Sequence, residues 1–289
     1  MNLKIATLAS ALLCIGLGGK AQGRVEHTST QQTLHFAGTG PHTLDVRDIN
    51  GSITVEAYDG HDVELTVDKS VRADSDDDMR AAARDVTVDT AENADVVRVI
   101  VNQKNQGVCG EESSHRHSSW FDSPSYEVRF DFTVRVPADT RLQLCTVNGG
   151  GLTVKGTRSD FSLRNVNGHI TMTDVAGSGE AITVNGPIRA SFVATPGKPS
   201  RFRTINGDVV VTLPDGAAAD LRLKSLNGGL FTDFDVQALP VEAVQPVEKR
   251  DGMSVYRSNG FTAVRAGNGG PELTLDTLNG DVRVLRRSR

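Results

Sequence analysis

Aromatic residues are scarce in this chain of 289: ten Phe, three Tyr and one Trp, 5% in all. Val, Ile, Leu and Thr are plentiful and Gly recurs, so the core is expected to come from short stacked strands rather than from a helical bundle. Cysteine is equally sparse, at Cys14, Cys109 and Cys145. The leading apolar run, Ile5 to Leu17, falls short of the roughly 20 residues that cross a bilayer, so an integral membrane protein is not expected. No nucleophile elbow, phosphate loop or zinc-protease motif is present, nor the G-G-x-G-x-D repeat of calcium-binding rolls.

What the chain does carry begins with Lys4, the apolar run, and small residues ending at Gly19 and Ala21, the pattern of an export signal. Residues 1–21 are read as a signal peptide, with the mature chain starting near Gln22. The protein is then exported: periplasmic, on the cell surface or secreted. Cleavage removes Lys4 and Lys20 from 31 cations, so the formal charge becomes 29 − 36 = −7, which argues against nucleic acid as a partner. It also removes Cys14, which follows the bulky Leu13 where a lipoprotein signal carries a small residue. Cys109 and Cys145 remain, and in an exported chain such a pair is expected as a disulfide.

The dominant pattern is a small polar residue, a branched aliphatic, then Asn-Gly, at Asn50, Asn148, Asn167, Asn185, Asn206, Asn227 and Asn279. Four copies follow Asn148 at intervals of 19, 18, 21 and 21 residues. One unit of this length cannot bury its apolar side without a stacked neighbour, which points to a solenoid. Asn-Gly is also the strongest short hairpin signal, but the register opposes it. A tight hairpin would pair Val166 with His169, Ile205 with Asp208 and Leu278 with Asp281, putting the apolar residues of its two arms on opposite faces. Pro187, directly after Gly186, lacks the N–H that closes such a turn.

Counted from each Asn, apolar residues recur six and four before it, one before it, and three and five after it, as in Phe161, Leu163, Val166, Ile170 and Met172. Steps of two are strand-like and the odd steps are corners, one at Asn-Gly. All of these aliphatics are expected to point inward. The seven asparagines are read as structural turns, able to hydrogen-bond to one another along the axis. The fold class is therefore all-β, a parallel β-solenoid or β-helix with short coils of about 18–21 residues.

The segments Thr146–Thr153, Asn165–Met172, Thr183–Ile188, Thr204–Val211, Ser225–Leu230 and Thr277–Val284 resemble the T-[VI]-N-G-[DX]-[IV] units of a bacterial putative-adhesin family of unknown function. Its exported members are β-solenoids, and the resemblance implies that architecture here. The family brings no catalytic residues to carry over.

Residues 22–140 read as a β-rich N-terminal section holding the first coil and an insertion, and 141–289 as the repeats, with an insertion loop near 237–252. Within the first section, Val63–Val71, Val86–Val88, Val96–Val101 and Tyr126–Val136 read as strands. Ser75 is placed to cap one short helix running to about Arg84, with Asp76, Asp77 and Asp78 in its first turn. That helix accounts for the acidic run without calcium.

His115 and His117, near Cys109, Glu111, Glu112 and Asp122, have the chemistry of a zinc or copper site. A solvated polar loop is the simpler reading, and no cofactor is expected. The outward positions five and three before Asn carry Arg201 and Arg203, then Arg222 and Lys224, with Arg164 on an earlier coil. Stacked about 4.8 Å apart, they would form a basic stripe suited to an anionic envelope glycan, with another envelope protein as the alternative partner. The function expected is non-enzymatic adhesion, binding or scaffolding. A carbohydrate-active lyase or hydrolase on a β-helix scaffold is the opposing reading, and it needs paired carboxylates in a groove.

Overall fold

The computed structural model describes residues 24–102, 109, 125–240, 246–250, 253–256 and 260–288. The expected signal peptide, His115 and His117 lie outside the described residues. The chain opens with β1 (Arg24–Leu34), β2 (Thr43–Arg47), β3 (Ile53–Tyr58) and β4 (Val63–Ala73), then α1 (Asp76–Asp85), β5 (Thr87–Glu92), β6 (Val96–Asn102) and β7 (Tyr126–Pro137). Next come β8 (Arg141–Cys145), β9 (Leu152–Lys155), β10 (Phe161–Arg164), β11 (Ile170–Val175), β12 (Gly179–Ile182), β13 (Ile188–Phe192), β14 (Ser200–Arg203), β15 (Val209–Leu213), β16 (Ala219–Asn227) and β17 (Leu230–Thr232). The last are β18 (Val236–Ala238), β19 (Pro246–Arg250), β20 (Met253–Tyr256), β21 (Thr262–Ala266), β22 (Glu272–Asn279) and β23 (Val282–Arg286).

Two large sheets contain all of the strands except those of the small β19–β20 hairpin. The first runs β1-β4-β7-β3-β9-β11-β13-β15-β23-β17 and the second β18-β21-β16-β22-β14-β12-β10-β8-β2-β6-β5. From β8 to β17 the chain alternates between the sheets, and these strands lie parallel to their stacked neighbours, except that β16 has a parallel partner on one side only, β22. Antiparallel pairs sit at the ends: β1 with β4, β4 with β7, β5 with β6, and β21 with β16 and β18. The all-β expectation holds, but the sheets are mixed and neither closes. Of the expected loop at 237–252, the described parts supply the end of β18 and the strand β19. α1 starts where expected, with the Ser75 Oγ accepting the Asp78 N–H at 3.1 Å.

Between the sheets lie most of the residues six and four before Asn and three and five after it, including Phe161, Leu163, Ile170, Met172, Leu273, Leu275, Val282 and Val284; Leu230, three after Asn227 on the edge strand β17, is instead 37% exposed. Burying such aliphatics supplies most of the driving force, at about 1.5–3 kcal/mol each.

Each part of the T-x-N-G motif has its own task. The Asn side chains form an amide ladder: Asn167 donates to Asn148 (2.7 Å), Asn185 to Asn167 (2.7 Å), Asn206 to Asn185 (2.8 Å), Asn279 to Asn206 (2.6 Å) and Asn227 to Asn279 (2.7 Å). Except at Asp48, the residue two before Asn donates from its side chain to the corner carbonyl of the neighbouring rung. Thr146 thus bonds Gly51 (3.1 Å), Thr183 Gly168 (2.9 Å), Thr204 Gly186 (2.8 Å), Thr277 Gly207 (2.9 Å) and Ser225 Gly280 (2.7 Å). Those carbonyls fall where the strand ladder is interrupted, and a buried acceptor left without a donor is costly.

The residue one before Asn turns outward, contrary to the expectation that it is buried. Ile205, Leu278 and Leu226 are 36%, 41% and 65% exposed, and Ile49, Val147, Val166 and Val184 are half-buried. The reason is local: once the corner sends the polar residue inward, its neighbour must take the opposite side. Replacing Asn185 by Ala removes one donor and one acceptor of the exposed amide ladder, and is expected to cost about 1–2 kcal/mol in chemical denaturation.

Candidate functional site: the charged face of the second sheet

Alternation along β10, β12, β14, β22 and β16 sends every second residue to the outer face of the second sheet. Arg164, Arg201, Arg203, Arg222 and Lys224 all lie there. Their arrangement differs from a continuous stripe, because β22 lies between β14 and β16. Arg201 and Arg222 each face Thr274 in register, and Arg203 and Lys224 each face Asp276. Two cationic pairs expected to stack directly are therefore separated by a strand bearing a carboxylate. The final repeat, with Leu273, Leu275, Leu278 and Asn279 at the same offsets as the others, fits at either place by pattern alone.

The acids answer the cations individually. Arg164 bonds Glu180 at 2.6 Å, and Ser162 also donates to that carboxylate. Arg201 and Arg203 lie 3.5 and 3.3 Å from the Asp276 carboxylate, and Arg222 lies 2.9 Å from Glu272. The Lys224 ammonium sits 5.4 Å from the centre of the Phe261 ring. Within this cluster, five cations stand with the three carboxylates of Glu180, Asp276 and Glu272, a sum of 5 − 3 = +2 over these eight groups. Pairs this exposed contribute roughly 0–1 kcal/mol apiece to stability, so their guanidinium groups can exchange partners at little cost. Asp276, with its side chain only 13% exposed, is the hub that positions Arg201 and Arg203.

Toward β8 the same face opens into a cleft of about 310 Å³ lined by Arg141, Gln143, Asp160, Ser162, Ser178 and Lys198. Lys198 bonds Asp160 at 2.7 Å, and Arg141 lies 3.7 Å from it. The Lys198 hydrogen bond holds the Asp160 carboxyl below the usual carboxylate range. Farther along, Cys145 occupies the register position beside Arg164 and is joined to Cys109 in a disulfide with a Cα–Cα distance of 5.7 Å. Among the described residues no three His, Cys, Asp or Glu side chains gather as metal ligands, and no helix is long and apolar enough to cross a membrane. Asp276 and Glu272 were absent from the sequence-based site; their place on β22, facing both cationic strands, shows only once the strand order is known.

No protein-family model and no curated protein matches the chain. Among solved structures, a putative cell adhesion protein from Clostridium sporogenes is similar over 90% of this chain and 100% of its own, at 8% identity and a TM-score of 0.38. A putative lipid binding protein from Parabacteroides distasonis is similar over 90% of this chain and 97% of its own, at 9% identity and a TM-score of 0.26.

Proposed function

We propose that this chain is an exported, non-enzymatic binding protein of the cell envelope or extracellular space, adhesin-like in architecture, that engages an anionic glycan. In this reading β8 to β17 with β22 and β23 are the rungs of a two-sided parallel solenoid, and the N-terminal strands close one end of it. The observation that carries the reading is the cluster of Arg201, Arg203, Arg222 and Lys224 about Asp276 and Glu272 of β22 on one sheet face. A polyanion can pair with several guanidinium groups at once and release its counterions.

The opposing reading, a carbohydrate-active enzyme, needs one carboxyl free to act as an acid and another as a base. On this face Glu180, Asp160, Glu272 and Asp276 are each drawn to a cation. The disulfide supports export, since such bonds persist in oxidising compartments.

The test is retention on immobilised heparin and polygalacturonate at low salt. The wild-type protein is expected to bind and to elute as salt rises, while the R203Q/R222Q/K224Q variant passes through. D276N, which adds one net positive charge, is expected to elute later than wild type. Equal retention of all three removes the proposal.

A further inference from the structure

Asp48 stands two residues before Asn50, the place held by Thr146, Asn165, Thr183, Thr204, Ser225 and Thr277 at the other corners. Each of those side chains donates to a corner carbonyl of the adjacent rung. Asn165 is the closest counterpart in shape. Its Oδ1 accepts the Val166 N–H at 2.7 Å while its Nδ2 donates to the Gly150 carbonyl at 3.2 Å. Asp48 repeats the first half, with its Oδ1 accepting the Ile49 N–H at 2.7 Å. Its Oδ2 is buried and, among the described residues, has no donor directed at it.

The glycine beside it locates that oxygen. A Cβ on Gly51 would strike the Phe130 carbonyl oxygen and lie 2.9 Å from Asp48 Oδ2. At the Ser225 corner, a Cβ on Gly228 would likewise strike the Gly280 carbonyl oxygen and lie 2.9 Å from Ser225 Oγ, and there the hydroxyl donates to that carbonyl. Asp48 Oδ2 therefore occupies a donor's position against a backbone acceptor. Two unprotonated oxygens in that relation repel; a protonated carboxyl makes the bond its counterparts make.

We propose that Asp48 is held as a neutral carboxylic acid whose Oδ2–H donates to the Phe130 carbonyl, so that the joint between β7 and the first Asn-Gly corner is tight in acid and loosens when Asp48 ionises. The joint carries the antiparallel strands β4 and β1 through β7, so its state governs how firmly the N-terminal layer is attached. The surroundings agree. Burial, the largest influence, pushes Asp48 from 3.8 up to about 7 and Asp131 adds to it, while the N–H groups of Ile49 and Asn50 and the charge of Arg129 oppose. Asp131 and Arg129, both on β7, satisfy one another at 2.8 and 2.9 Å. Arg47, which lines the same small cavity, is engaged by Asp45 and the Cys109 carbonyl.

The sign follows from the raised folded value. The stabilisation is complete below the unfolded value of 3.8 and is lost as pH rises through about 7. Between pH 5 and 8 the wild-type folding equilibrium is expected to fall roughly a hundredfold from this group alone. The experiment is thermal and urea unfolding of wild type and Asp48→Asn at both pH values, with a ¹³C carboxyl titration of Asp48 in the wild type. Asp48→Asn supplies the Nδ2 donor of Asn165 and is expected to lack the hundredfold drop and to match or exceed wild type at pH 8. A variant that keeps the wild-type pH profile overturns the proposal. So does a wild-type Asp48 signal titrating in the ordinary carboxylate range, which decides the matter even where the variant does not fold.

Discussion

Gly168→Ala is expected to destabilise the protein by more than about 3 kcal/mol, at the severe end for a single methyl group. The added carbon would fall on the Gly150 carbonyl oxygen and within 2.6 Å of Asn165 Nδ2. Neither neighbour can yield freely. The Gly150 carbonyl accepts from Asn165, and the flanking strands β9 and β11 are paired in register from Ile170–Leu152 onward. The methyl group therefore displaces a rung and breaks the Asn165 hydrogen bond in one step. Gly197→Ala, where nothing lies within 4 Å of the new carbon, is the matched control and is expected to stay within ±0.5 kcal/mol. Urea unfolding of both variants checks the contrast, and equal stabilities would show that the rungs are not in close contact at their corners.

Removing the disulfide with Cys109→Ser and Cys145→Ser together is expected to cost about 3–4 kcal/mol, the loop-closure value for its 36-residue separation. At roughly 2–4 °C per kcal/mol for a chain of this size, Tm falls by about 10 °C. The bond ties Cys109 to Cys145, the last residue of β8, and Cys109 also takes a hydrogen bond from Arg47. It thus holds Cys109 against the outer face of the second sheet. Wild type treated with a thiol reductant should reproduce the double variant by calorimetry. A Tm unchanged by both treatments would mean that the bond adds nothing to the stability of the folded chain.

The strands and the Asn-Gly corners between them were legible in the sequence because their residues do separate jobs at fixed offsets. Asn can join a ladder of amides, Gly alone admits a carbonyl at contact distance, and the apolar residues at even spacing before and after them fill the interior. The outward turn of Ile205, Leu226 and Leu278 was not legible, since an aliphatic beside a corner reads the same on either side. Thr204 and Thr277 were better guides, because a hydroxyl is buried at little cost only where an acceptor awaits it. Asp48 belongs to the same column and stands out there as the one carboxyl among hydroxyls and an amide. The charged face was half legible: the cations were found and their separation was not. Adjacency of rungs depends on which repeat stacks on which, and the segment around Asn279 satisfies every offset that the others do.

That ordering has a consequence for how the molecule is assembled. With β22 and β23 lying between the rung of β14–β15 and that of β16–β17, residues 219–232 cannot reach their final neighbours until residues 272–286 are also free to fold. Assembly by laying down each turn as it emerges halts after β15. A vacant slot must wait for the last two strands, which enter as a keystone and lock the earlier-made segment outside them.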